Sequence, residues 1–301
     1  MDRRDLLAGF AVAASATPVL AQTPASGVSP MTSPHKAFKV KDCVALVTGA
    51  NRGVGLGFVE VLLARGAKRV YATARDPKTL PELTALDPAR VVALELDVTS
   101  DTHRRAAAAQ AQDLTLLINN AAYPGDLKRA EERRFRSAGN LDDIKRAMDT
   151  NCWSPAELAR LFIPTILKNA QETGRPGAIV NILSSAALFC LPEFTSYSTS
   201  KAAAMMMTAG LRAETDREPI LVASVYTGGV QTRSLPVGAT TQNTPADHAN
   251  EVFDRMAEGR TFIYAATNGA NTHQRIMGDP EAYERRVIDR FYTSPVQVAP
   301  Y

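Results

Sequence analysis

The sequence predicts an α/β protein built on a doubly wound parallel sheet, a single domain in which strands and helices alternate. Three observations carry that expectation. Seven short runs are apolar and rich in β-branched residues, at 43–48, 69–73, 91–96, 114–119, 178–183, 221–226 and 261–265. Their near-continuous apolar character suits strands covered on both faces. Helical patterns separate them, as at 55–65, 103–112, 141–168 and 198–216, and such alternation is the mark of a wound sheet. Finally, the first run leads through a glycine-rich turn into the first helical segment, where a doubly wound sheet places a nucleotide.

Composition narrows the function classes. The chain has 301 residues, 45% of them hydrophobic and 22% charged, enough to bury a full core without disulfides or metals. A formal net charge of +3 is too small to suggest nucleic acid. The densest basic cluster, Arg133, Arg134 and Arg136, adjoins Glu131 and Glu132 and reads as a solvated mixed-charge surface. Cys43, Cys152 and Cys190 are odd in number and widely spaced, which gives neither a disulfide framework nor a metal-ligand pattern. The four histidines are scattered, so no metal site is expected.

The N-terminus differs from the rest. Arg3 and Arg4 stand directly before an apolar stretch, Leu6 to Leu20, that is rich in alanine and broken by Pro18. The stretch is short for a membrane span, which needs about 20 apolar residues. It ends in the small-residue sequence Val19-Leu20-Ala21, so residues 1–21 read as an export signal of twin-arginine type. No stable membrane insertion is expected, and the destination would be the periplasm. If Met31 is the true start, the protein is cytoplasmic. Residues 22–39 read as a polar linker and 40–301 as the folded domain.

The glycine turn runs Thr48-Gly49-Ala50-Asn51-Arg52-Gly53-Val54-Gly55-Leu56-Gly57. Glycines here let backbone N–H groups approach a pyrophosphate at the positive end of a helix. The spacing is T-G-x-x-x-G-x-G rather than G-x-G-x-x-G. Four further marks follow along the chain: Asp97-Val98 after the third run, Asn119-Asn120-Ala121-Ala122 ending the fourth, Asn151 on a helical segment, and Tyr197-Ser-Thr-Ser-Lys201 with Ser184 thirteen residues ahead. Taken together and in order, these resemble the short-chain dehydrogenase/reductase family over about residues 40–270. The resemblance implies a Rossmann-like fold, an oxidoreductase activity and assembly as a dimer or tetramer. It also implies an adenine contact from Asp97 and Val98, a sheet-steadying role for Asn120, Ala121 and Ala122, and a ribose contact from Lys201. Asn151 would anchor a water in a proton relay. Gly228, Val230 and Thr232 would stand beside the nicotinamide, with Thr232 on its carboxamide. Two departures are visible: Ala122 replaces a usual glycine, and Thr227-Gly228 replaces the usual Pro-Gly.

The chemistry gives reasons for these residue types. A spacing of four puts Tyr197 and Lys201 on one helix face. A free tyrosine ionises near pH 10, and a nearby ammonium together with an oxidised nicotinamide should draw that value toward neutrality. Tyr197 could then exchange a proton with a carbonyl or alcohol oxygen, while Ser184 hydrogen-bonds that oxygen. Ser185, twelve residues from Tyr197, competes for the serine role. Asn151 could equally be an ordinary hydrogen-bonder inside a helix, and Cys152 and Cys190 read as packing residues.

Cofactor choice is legible too. NAD-preferring relatives end the second strand with an acid that holds the ribose 2′-hydroxyl. Here that position is Arg75, with Arg52 in the glycine turn; two guanidinium groups suit a 2′-phosphate. NADP(H) is therefore expected over NAD, with Asp76 as the contrary sign. The leading reading is a carbonyl reductase or alcohol dehydrogenase. The alternatives are a 3-oxoacyl reductase and a catalytically silent dinucleotide sensor. Residues 233–250 show little periodicity and read as a substrate loop, and the tail is helical around Pro280–Phe291.

Overall fold

The seven apolar runs form seven parallel strands of one sheet, in the order β3-β2-β1-β4-β5-β6-β7. The structure is a computed structural model and describes residues 36–232, 243–265 and 269–293. The expected leader and most of the linker lie outside the described residues, as does most of the loop after Thr232. The strands are β1 (Val44–Val47), β2 (Arg69–Ala74), β3 (Val91–Glu95), β4 (Leu116–Asn119), β5 (Gly177–Ser184), β6 (Ile220–Thr227) and β7 (Phe262–Ala265). Every residue of β1 and β4 is buried, because helices cover both faces of the sheet, as a parallel sheet requires.

The helices between them are α1 (Gly53–Ala64), α2 (Leu80–Ala85), α3 (Asp101–Gln110), α4 (Asp142–Met148), α5 (Ser154–Thr173), α6 (Thr195–Glu214) and α7 (Pro245–Ala257). A last pair, α8 (Gly269–Gly278) and α9 (Pro280–Thr293), follows β7. One face of the sheet packs against Phe58, Val59 and Leu62 of α1 and Val252, Phe253 and Met256 of α7. The other takes Ala107 of α3 and Leu158, Phe162 and Ile166 of α5. The i, i+4, i+8 spacing of that last trio lays one apolar stripe on the sheet; truncating Phe162 to alanine would cost about 3–5 kcal/mol.

Two boundaries differ from the sequence reading. Residues 36–39, expected as the end of the linker, are part of the fold: Lys36 is buried and donates to the Thr215 carbonyl (3.1 Å), and the Phe38 N–H donates to the Met256 carbonyl (3.0 Å). Polar composition hid this because one buried phenylalanine and one buried lysine anchor an otherwise hydrophilic stretch. Part of the expected substrate loop is the first turn of α7, closed by a capping box in which Thr244 and Asp247 satisfy each other's backbone N–H. Helix α7 is amphipathic and α1 is apolar nearly all round, and they approach so closely that a Cβ on Gly57 would stand 2.6 Å from Pro245.

Candidate active site

The strand order reverses between β1 and β4, since β1 leads outward to β2 and β3 while β4 to β7 run the other way. That switch point opens a crevice at the carboxyl ends of the strands, and both candidate clusters stand on this edge.

The first cluster is the glycine turn. Gly49 and Gly53 hold positive φ angles of 63° and 55°, which favour glycine. A Cβ on Gly49 would come within 3.1 Å of the Ala121 backbone, and one on Gly55 within 2.2 Å of the Gly49 carbonyl. Thr48 ties the turn to the end of β4: its hydroxyl accepts from the N–H groups of Asn120 (2.8 Å) and Ala121 (2.9 Å). The Asn120 side chain donates back to the carbonyls of Thr48 (2.9 Å) and Gly49 (3.2 Å). Asn51 and Val54 are half-buried within the turn, Arg52 is exposed, and Ala122 stands exposed after β4. Thr232 closes the far side, its methyl 3.3 Å from where a Gly53 Cβ would be.

Helix α1 begins here with no side-chain cap and no acid in its first turn. The first N–H groups of a helix carry partial positive charge and need a partner. A pyrophosphate fits that requirement.

Arg75 and Asp97 come together at the ends of β2 and β3. Burial opposes the Asp97 charge, but two hydrogen bonds from Thr99 (2.7 and 2.9 Å) and the nearby charges of Arg75 and His103 outweigh it, so its pKa lies below the ordinary value. Asp76, the contrary sign for cofactor choice, caps a short turn by accepting from the Lys78 N–H (3.0 Å). Val98 turns its side chain into the core, so its contribution to a ligand would come from its backbone. Val230 is likewise buried, and the Gly228 N–H is spent on the Ala265 carbonyl (3.1 Å).

The second cluster forms where β5, α6 and the segment before α5 meet. Ser184 ends β5, and its hydroxyl accepts from the Ala186 N–H (3.2 Å). Ser184, rather than Ser185, stands near enough to the Tyr197 phenol to favour its ionised form. Burial pushes the Tyr197 pKa up, with the Ser184 hydrogen bond opposing. The expected lowering by Lys201 is absent from this balance. The Lys201 ammonium donates to the Ile182 carbonyl at 2.7 Å and lies 5.6 Å from the centre of the Tyr197 ring. Burial brings Lys201 itself down to about 8.

Asn151 sits in a π turn, Asp149–Trp153, between α4 and α5; such turns recur at functional sites. Its side chain donates to the Tyr123 carbonyl and to Ser200 Oγ (both 2.8 Å) and accepts from the Tyr123 N–H (2.7 Å). Both amide hydrogens are therefore committed to protein partners. Cys152 is buried beside Leu183 and Tyr226 as packing, and Cys190 lies near Thr195.

The sequence reading missed several participants. Thr48 lies inside the glycine motif, and its partners just past the end of β4, 72 and 73 positions on, are invisible from local sequence. Ser200 stands three residues after Tyr197, on the same helical face, which is a signal that could have found it. The Thr227 hydroxyl bonds His248 Nε2 at 3.0 Å, which ties the turn that departs from Pro-Gly.

Comparison with known proteins agrees with this geometry. A crystal structure of a short-chain dehydrogenase from Burkholderia cenocepacia J2315 in complex with NADP superposes with a TM-score of 0.74 at 32% identity, over 83% of this chain and 99% of that one. A second from Burkholderia phymatum, in complex with NAD, gives 0.67 at 22% identity over 88% and 99%, a likeness of fold. A very-long-chain 3-oxoacyl-CoA reductase of Anas platyrhynchos is 27% identical over 76% of this chain and 72% of its own length. Among the described residues, no helix is long and apolar enough to cross a membrane. Residues 43–242 match the family described as short chain dehydrogenase, and with a seven-stranded parallel sheet carrying the glycine turn and the Ser184–Tyr197–Lys201 cluster at its switch-point edge, the chain belongs to that family of oxidoreductases.

Proposed function

We propose that this protein moves a hydride between NADP(H) and a carbonyl or alcohol substrate, with Tyr197 exchanging the proton. The observation that carries this reading is the meeting of Ser184 and Tyr197 at the strand edge, one helical turn from the buried Lys201. Tyr197, half-buried at the strand edge, holds its proton and can give it to a carbonyl oxygen during reduction. Ser184 stabilises the charge developing on that oxygen. Lys201 keeps its position through the Ile182 carbonyl and has two further donors to offer a ribose. Asn151, its side chain fully engaged, would serve a relay through its backbone in the π turn.

The residues of the glycine cradle fit a dinucleotide: the uncapped N-terminus of α1, the close-set glycines and Thr232 would hold the pyrophosphate and nicotinamide side. When bound, the cofactor supplies the hydride. Arg52 and Arg75 favour the 2′-phosphate of NADP over NAD, and the capping duty of Asp76 supports this. The similarity to a 3-oxoacyl-CoA reductase keeps a 3-oxoacyl thioester among the substrates to try. The test is purified protein with NADPH or NADH and a panel of aldehydes, ketones and a 3-oxoacyl thioester. NADPH oxidation with some member is expected. Tight NADPH binding with no turnover of any would favour the silent sensor.

The same reading includes a twin-arginine-type leader over residues 1–21, a polar linker after it, and a periplasmic homo-oligomer. The paired Arg3 and Arg4 before a short apolar stretch support export. Fractionation of the host with wild type and Arg3→Lys/Arg4→Lys tests it. Uncleaved cytoplasmic protein in both would favour Met31 as the start.

A further inference from the structure

The hydrogen bonds of Asn151 lead away from the strand edge to a buried carboxylate that no part of the proposed chemistry uses. Asp143 lies in the first turn of α4 and is 7% exposed. One of its oxygens accepts from the Tyr123 hydroxyl (2.7 Å) and from the Asp126 N–H (2.8 Å). The segment after β4 is thus wrapped on this one side chain, with Gly125 between them at a φ of 97°. Tyr123 then reaches the other way: its backbone N–H and carbonyl are both held by the Asn151 amide. Asp143 and Asn151 belong to one continuous helical stretch, since α4 runs directly into the π turn, which closes by the Ser154 N–H to the Asp149 carbonyl. Tyr123 therefore clamps that stretch at two points, by its phenol at the start and by its backbone at the π turn. The chain continues from Asn151 Nδ2 to Ser200 Oγ, and Ser200 Oγ donates to the Tyr197 carbonyl at 2.7 Å.

We propose that Asp143 and Tyr123 are positioning residues for Tyr197, acting through Asn151 and Ser200. The inference rests on the proton-transfer role given to Tyr197 above. A π turn is a costly irregularity that persists where its surroundings hold it. Here the Tyr123 clamp holds it, and through Ser200 the register of α6 against the turn is fixed. Displacements of about 1 Å at a reacting group can cost about a hundredfold in rate. No link in the chain passes through the glycine turn, so its loss should spare cofactor binding.

The experiment compares Asp143→Ala, Asp143→Asn, Tyr123→Phe and, as reference, Tyr197→Phe in the full-length protein. It measures kcat, KM, the NADPH dissociation constant and the melting temperature, with the best carbonyl substrate from the panel. Asp143→Ala is expected to lower kcat by about tenfold while KM and NADPH affinity stay within about twofold. Asp143→Asn should recover most of the rate, because its amide oxygen still accepts from the Tyr123 phenol and the Asp126 N–H. Tyr123→Phe should fall between, and it carries the test if Asp143→Ala does not fold. Unchanged kcat in Tyr123→Phe and in the folded Asp143 variants, with Tyr197→Phe inactive, would overturn the inference alone. Asp143→Asn as slow as Asp143→Ala would overturn it too. Turnover retained by Tyr197→Phe would remove the proton-transfer reading and the inference with it.

Discussion

The glycine turn and the Tyr197 cluster share one edge of the sheet and are built by opposite means. The turn works by omission: Gly49, Gly53 and Gly55 leave out side chains so that backbone can crowd Ala121, Thr232 and the Gly49 carbonyl. Its helix start is left without a side-chain cap. The Tyr197 cluster works by filling: Asn151, Ser200 and Lys201 are buried polar side chains, each held by a partner at 2.7–2.8 Å. Beneath it a second buried chain joins Asn119 to Asn181 (2.8 Å) and Asn181 to Thr208 (2.9 Å), across β4, β5 and α6. A binding surface for a phosphate needs exposed donors, which backbone supplies without desolvating a charge. A proton-transfer group needs a fixed place in a dry setting, which only satisfied side chains provide.

That contrast can be broken or sharpened by mutation. The largest effect after loss of Tyr197 itself should come from Ser184→Ala, with turnover down by about 10²–10³ and NADPH affinity nearly unchanged in steady-state and binding assays. Ser185→Ala should do far less, and the reverse ranking would move the site by one residue.

Next comes His248, which stands between Phe58 of α1 and Thr227 of β6 and so braces both regions. Burial lowers its pKa from 6.5 to about 4. Between those values the unfolded chain binds the extra proton, so stability should fall as pH drops from about 6.5 to about 4 and the loss level off below. The full loss would be about 3 kcal/mol. Denaturant titrations across that range should show His248→Gln with a flatter acid limb. An identical slope would assign the acid sensitivity elsewhere.

Arg52→Ala and Arg75→Ala should each weaken NADPH by about 1.5–3 kcal/mol and leave NADH nearly untouched in calorimetry. Equal losses for both cofactors would make these arginines structural. The smallest effects contrast two glycines. Gly55→Ala forces a Cβ onto the Gly49 carbonyl and should destabilise by about 1–3 kcal/mol. Gly210→Ala, on α6 with nothing within 4 Å of its Cβ position, should stabilise by roughly 0.5–1 kcal/mol. Thermal melts that move the same way for both would contradict the crowded turn.

The two regions were also unequally legible in the sequence. The turn is a matter of spacing along one strand–turn–helix, so Gly49, Gly53 and Gly55 could be read from neighbours. All seven strands were equally plain because burial on both faces leaves little but apolar residues. The Tyr197 cluster was visible as residue types, and its wiring was not. Asn151 reaches Tyr123 across 28 positions and Ser200 across 49, and no local pattern marks such partners. Lys201 shows the same limit: helical spacing places it beside Tyr197, but only tertiary packing turns its ammonium to the Ile182 carbonyl. Helix α7 escaped notice because its apolar positions begin inside a stretch of proline, threonine and alanine, and its capping box looks like loop composition.

The most direct test of the proposed division of labour is Tyr197→Phe, assayed for carbonyl reduction and for NADPH binding on the same preparation. The change keeps the ring that packs in the cluster and removes the proposed proton donor. Turnover should fall by about 10²–10⁴, with the NADPH dissociation constant within about twofold of wild type. Turnover near the wild-type rate, or a loss of NADPH binding that matches the loss of turnover, would contradict the account.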